Sequence, residues 1–287
     1  MKDVEERVER IVNDREHGSR WLVRETMLLL QDIASDTSVA ADEAMQQVHF
    51  AGQKLAGARP AMAALEGTVW RILNAPGGVV GIAQEAKRLL DEYDTATERI
   101  AAFARPLLTG TLMTHSLSGT VLDVLVACKA AIERVIVLEG RPRYEGRAMA
   151  QALVKQGIAV TLITDAQADI FLSHCSAVVV GADTILANGD VLNKAGTALL
   201  AWAAQGQHVS FYVLSETLKI SPHLWSGDEA QLEEKEADEV MEPPMTGVTV
   251  RNFYFDHTPG FLVTKIITEQ GMMGPLEVQQ LAETLHF

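Results

Sequence analysis

The chain has 287 residues, 48% of them hydrophobic, with 38 acidic and 24 basic side chains for a net charge of −14. That length fills one large domain or two ordinary ones, and the acidity argues against a nucleic-acid-binding surface, where clustered Lys and Arg must neutralise phosphates. Cys128 and Cys175 are too few for a disulfide framework and suit a reducing cytoplasm; residues 1–10 are charged throughout, unlike a secretory leader, and no apolar stretch reaches the ~18 residues of a membrane span.

Residues 1–105 read as helical. Val4, Val8 and Ile11 recur at helical spacing, and 21–33 and 40–55 continue the pattern. Breaks fall at Arg59-Pro60 and at Pro76-Gly77-Gly78. The glycines from Gly77 to Gly81 follow no strand and precede no Lys-Ser/Thr, which makes them a turn between helices rather than a phosphate loop.

From Thr111 onward short apolar runs alternate with helical stretches. Strands are predicted over 111–114, 134–138, 159–163, 177–180 and 209–214. Helices are predicted over 118–131, 145–156, 194–205 and as a C-terminal set from Pro259. This alternation predicts an α/β fold: an N-terminal helical domain, 1–105, followed by a Rossmann-like doubly wound parallel sheet, 106–287. No GxGxxG follows any strand, so neither a nicotinamide nor a flavin cofactor is expected, and no metal is called for.

The most telling run is Val180-Gly181-Ala182-Asp183, followed by Asn188-Gly189-Asp190-Val191-Leu192-Asn193-Lys194-Ala195-Gly196-Thr197. Glycines there let backbone amides approach a ligand. Asp183 and Lys194 put an acid and a cation at the carboxyl end of a parallel sheet, where ligands of open α/β folds bind. A small phosphorylated polyol fits that chemistry better than a dinucleotide does. On the residues alone Asp183 reads first as a turn-capping carboxylate, and a lone Arg or Lys as a surface charge.

Other segments carry a resemblance. Arg59-Pro60-Ala61, the 112–118 run Leu-Met-Thr-His-Ser-Leu-Ser, Glu139-Gly140-Arg141-Pro142 with Glu145-Gly146, Glu216-Thr217-Leu218-Lys219, 233–240 and Phe255-Asp256-His257-Thr258-Pro259 occur in order along the chain. Together with the 180–197 run they resemble the translation initiation factor 2B alpha/beta/delta family over roughly 55–285. That family includes isomerases of ribose 1,5-bisphosphate and of methylthioribose 1-phosphate. Such an isomerase protonates the ring oxygen, opens the sugar and moves hydrogen between C1 and C2, which calls for an acid/base pair of tuned pKa.

The resemblance implies a catalytic role for Asp183 and places Ser116 where the isomerases carry Cys. A thiol, with a pKa of about 8.5, reaches the thiolate readily. A hydroxyl is far weaker and needs an adjacent base. His115 should point to the opposite face of the strand, and Cys128 and Cys175 read as apolar fillers away from the site. The resemblance also implies a binding shell of Arg59, Ser118, Arg141, Asn193, Lys194 and Lys219, with Arg suited to bidentate and Lys to point contact with phosphate. Gly18 and Ser19 stand in for a family Gly-Ala that meets a phosphate, although His17 precedes them in place of Arg. Gly140 replaces the usual Ser or Thr. Asp256 reads as the cap of a helix starting near Pro259, and His257 as non-catalytic. The stretch 228–242, with eight acids and one Lys, reads as a solvated loop or helix face; in the family its counterpart lies near the subunit interface.

The expected function is binding of a sugar phosphate or related phosphorylated ligand, with isomerase activity lost or altered because of Ser116. One alternative is a working aldose–ketose isomerase using Asp183. Another is a regulatory subunit in translation, acting through contact with an initiation factor. The resemblance further implies a homodimer or higher homo-oligomer.

Overall fold

The computed structural model describes residues 2–14, 17–59, 62–227 and 232–285. Pro60-Ala61 of the first motif and 228–231 of the acidic stretch lie outside the described residues. Five helices come first: α1 (Lys2–Val12), α2 (Ser19–Ser35), α3 (Ala41–Ala56), α4 (Ala63–Leu73) and α5 (Gly78–Ala104). In α2, Leu22, Val23, Thr26, Met27, Leu30, Ile33 and Ala34 are buried, the i, i+3, i+4 stripe of a helix with one inward face. The stripe packs on Val48 and Leu55 of α3, Ile72 of α4 and Ile82 and Leu89 of α5. Between α4 and α5, Gly77 takes φ 102°, open to glycine without a Cβ clash, and the Gly77-Gly78 pair is the expected turn.

The last turns of α5 leave this core. Ile100, Ala101 and Ala104 pack instead with Val121, Val124 and Leu125 and with residues of the sheet. One long helix thus ties the N-terminal bundle to the α/β half of the chain.

The remaining elements are β1 (Gly110–His115), α6 (Gly119–Cys128), β2 (Ile132–Leu138), α7 (Glu145–Lys155), β3 (Val160–Ile163), α8 (Ala168–Leu172), β4 (Ala177–Val180), β5 (Thr184–Ile185), β6 (Val191–Lys194), α9 (Thr197–Gly206), β7 (Ser210–Leu214), β8 (Phe255–Thr258), β9 (Lys265–Thr268), β10 (Gly271–Met273) and α10 (Pro275–Ala282). The main sheet runs β10-β9-β7-β4-β1-β2-β3. It is parallel except for β10, antiparallel to β9. Its strands obey the period of two: Met113, Ile136, Val178, Val180 and Phe211 face α9 and α10. Leu112, Val135, Val137, Val179 and Leu214 face α5, α6 and α7. Both faces are covered, as a parallel sheet requires.

The 194–205 helix begins three residues later than its sequence pattern predicts. Lys194 ends β6, and Gly196, at φ 107°, turns the chain into α9. β5 and β6 pair as a hairpin, and β6 pairs with β8. The C-terminal set from Pro259 is also partly strand: a 3-10 turn, Gly260–Leu262, leads to β9 and β10, with α10 alone as α-helix. Asp256 therefore has no helix near Pro259 to cap. Its carboxylate accepts from the Gly196 amide at 2.7 Å and the Ala198 amide at 3.1 Å, so it caps α9. No helix among the described residues is long and apolar enough to cross a membrane.

Candidate ligand site at the strand switch

Strands β1, β2 and β3 progress toward one edge of the sheet, while β4, β7 and β9 progress toward the other. The reversal lies between β1 and β4, and loops leaving their carboxyl ends part to form a crevice, the usual ligand position in open α/β sheets. Ser116 follows β1, and Gly181-Ala182-Asp183 follows β4. Ser118 caps α6, its Oγ accepting from the Val121 amide at 3.3 Å. A Cβ on Gly181 would fall 2.6 Å from that Oγ, so the close approach of β4 to the α6 cap requires glycine. Ser116 is buried at φ 63°, a left-handed conformation uncommon outside glycine and concentrated at sites where function fixes a loop.

Asp183 sits on the hairpin side of the crevice, its amide donating to the Leu192 carbonyl at 3.0 Å. Its carboxylate accepts a hydrogen bond from the Ser19 hydroxyl, at the start of α2. Burial pushes the Asp183 carboxyl above the ordinary carboxylate range, against the pull of Lys219, Lys194 and Ser19. Such a group holds a proton more readily than a surface aspartate and suits a general acid. Lys219 is buried and donates to the Ala182 carbonyl at 2.8 Å and to Ser19 Oγ at 3.2 Å, with Glu216 Oε2 3.5 Å away. Gly18, in extended conformation, is the N-cap of α2.

The other wall carries Lys194. Its Nζ lies 2.8 Å from Glu145 Oε1 and 4.2 Å over the Tyr254 ring. Asn193 donates to the Thr197 hydroxyl at 2.9 Å, fixing the turn into α9. His115 is buried, and its Nε2 donates to the Ala195 carbonyl at 2.9 Å, binding the end of β1 to the residue after Lys194. Burial pushes the imidazole pKa down, so the ring is neutral at pH 7.

Residues 15–275 match the initiation factor 2 subunit family. The chain belongs to that family. It is 34% identical to a ribose 1,5-bisphosphate isomerase of Archaeoglobus fulgidus over 96% of this chain and 91% of the relative. It is 33% identical to a putative translation initiation factor eIF-2B subunit 2-like protein of Pyrococcus horikoshii, covering 91% of this chain and 93% of the relative. The crystal structure of a Pyrococcus horikoshii translation initiation factor eIF-2B superposes with a TM-score of 0.83 at 30% identity, covering 96% and 98% of the two chains.

Within this initiation factor 2 subunit fold, Ser19, Asp183 and Lys219 meet directly, and Lys194 acts on Asp183 through its charge. Ser116 and Ser118 line the switch from the β1 side. Two expected ligand contacts are turned elsewhere. Arg59 donates to the Asp14 carbonyl at 2.5 Å, and Arg141 donates to the Val240 carbonyl at 3.0 Å and the Tyr144 hydroxyl at 2.8 Å. His17 is engaged as well, by Asp14 at 2.9 Å and by stacking on Trp21. Cys128 lies in the sheet core and Cys175 beside Phe171. Burial raises both thiols, Cys175 to about 11, and neither flanks the switch. His257 stacks on Trp225 and pairs with Asp190 at 2.8 Å, a structural contact. Glu145 is the site residue that sequence reasoning passed over; its position inside the Arg-Pro-x-x-Glu-Gly motif was the available signal.

Proposed function

We propose that the chain binds a small phosphorylated sugar at the β1/β4 switch and that Ser116, in place of a thiol, has abolished or altered isomerisation. The observation that carries this reading is Asp183: a desolvated carboxyl hydrogen-bonded to Ser19 and flanked by the cations of Lys194 and Lys219. Cations and amide-rich turns hold phosphate, and the raised carboxyl can protonate a ring oxygen. The hydrogen transfer from C2 to C1 needs a second acid/base group. The Ser116 hydroxyl is a poor one, and the adjacent imidazole is committed to the Ala195 carbonyl. Support also comes from the sugar-phosphate isomerase among the relatives.

Phosphorus NMR with ribose 1,5-bisphosphate and methylthioribose 1-phosphate tests this, alongside melting curves. The expected result is a melting shift from a sugar phosphate, no turnover by the native chain and turnover in Ser116→Cys. Turnover by the native chain that Asp183→Asn removes would instead establish a working isomerase built on Asp183. No melting shift with any sugar phosphate would reject the proposal.

Further parts of the reading are a cytoplasmic location, a homodimer or higher assembly, and a domain boundary near residue 105. The eIF-2B subunit 2-like relative supports a second reading, a regulatory subunit contacting an initiation factor.

A further inference from the structure

Lys194 already has a carboxylate and an aromatic ring beside it. Glu145 Oε1 sits 2.8 Å from its Nζ, and the Tyr254 ring covers another side at 4.2 Å. A bare phosphate therefore meets a cation that already has a carboxylate at its side. The second oxygen of that carboxylate, Glu145 Oε2, is buried and has no hydrogen-bond partner among the described residues. A buried acceptor left unmade is costly, and such an exception calls for a physical account. Residue 140 is glycine, so no side chain stands between Oε2 and the loop after β2; a Cβ there would lie 3.5 Å from Oε2, in ordinary contact.

The geometry points to Glu145 as a specificity residue that accepts a hydrogen bond from a ligand hydroxyl adjacent to the phosphorylated carbon. This rests on the sugar-phosphate reading and deepens it. A ligand carrying both groups places phosphate on Lys194 and the neighbouring O–H on Oε2, so the pair is satisfied as a unit. Inorganic phosphate offers no such hydroxyl and meets Glu145 only as a like charge beside the lysine. The same carboxylate thus favours the phosphorylated polyol and rejects the free ion, with attraction and repulsion both contributing to specificity.

The test is calorimetric titration of the full chain with ribose 1-phosphate, 2-deoxyribose 1-phosphate and inorganic phosphate. The native protein should favour ribose 1-phosphate over the deoxy compound by about tenfold, the scale of a hydrogen bond to a charged group. In Glu145→Ala that preference should fall below about twofold, while inorganic phosphate should bind several-fold more tightly. Glu145→Gln keeps the side-chain volume and should also tighten inorganic phosphate, which guards against a folding defect in the alanine variant. A purely structural Glu145 would weaken all three ligands together. Equal binding of the two sugar phosphates by the native chain, or an unchanged preference in Glu145→Ala, overturns this inference alone. Failure of both sugar phosphates to bind overturns it together with the sugar-phosphate reading.

Discussion

Burial governs the carboxyl of Asp256 more than its hydrogen bonds do. The amides of Ala198 and Gly196 stabilise the charged form, yet desolvation outweighs them and pushes the pKa up to about 6. The folded chain therefore holds this proton more tightly than the unfolded chain, in which Asp titrates near 4. The resulting stability is fully present below about pH 4 and is lost as pH rises to about 6, roughly 3 kcal/mol in all. Asp256→Asn removes that dependence. In urea titrations the native chain should gain stability relative to the variant between pH 6 and 4, and parallel curves would show that the carboxyl is not desolvated. At this scale the sequence was partly legible. Asp183 declared itself by following a wholly apolar strand. The pairing of Glu145 with Lys194 did not, because it joins the start of α7 to the end of β6, and only the folded sheet brings them together.

Among the elements, α7 shows how tightly the crevice wall is built. A Cβ on Gly146 would lie 1.8 Å from the Leu138 carbonyl oxygen, so the first turn of α7 rests directly on the end of β2. Gly146→Ala forces backbone apart rather than a side chain, and the expected loss is about 3 kcal/mol, the upper part of the range for overpacking. Thermal denaturation checks it, and an unshifted melting temperature would mean that α7 and β2 are not so placed. The five strands over 111–214 were readable from their apolar runs because both faces of a central parallel strand are buried. The β5–β6 hairpin was missed, although Asn188-Gly189 between Ile185-Leu186 and Val191-Leu192 is a recognised hairpin signal. Gly189 takes the expected positive φ, 83°. The apolar run after Lys194 was extended backward through Gly196 as helix, and the short β9 and β10 were absorbed into a helical tail for the same reason: brief apolar runs fit either period.

For the molecule as a whole, the helical bundle and the sheet meet across the candidate site. The Lys219 ammonium bridges Ser19 of α2 and the Ala182 carbonyl after β4, and the Ala63 amide donates to the Thr184 hydroxyl at 2.8 Å. Burial pushes the Glu216 carboxyl up, but the charge of Lys219 and the Thr120 hydroxyl more than offset it and hold it below the usual range. Its contribution is thus present above the ordinary glutamate pKa and is lost as pH falls below it. Lys219→Met leaves Glu216 buried and unpaired, and should cost about 3–5 kcal/mol at pH 7. Equilibrium unfolding checks this, and a loss under about 1 kcal/mol would mean that Glu216 finds water instead. The fold class was legible from the change of pattern at Thr111. The crevice was not, because strand order, and hence the switch between β1 and β4, cannot be read from strands taken singly. The seam also lends itself to optical detection. Trp21 stands two residues after Ser19 with its indole stacked on the His17 imidazole at 4.2 Å, so a ligand that draws Ser19 away from Lys219 also disturbs an intrinsic fluorophore. With Trp70, Trp202 and Trp225 replaced, the emission of that single indole becomes a real-time gauge of how the two halves of the molecule sit against each other.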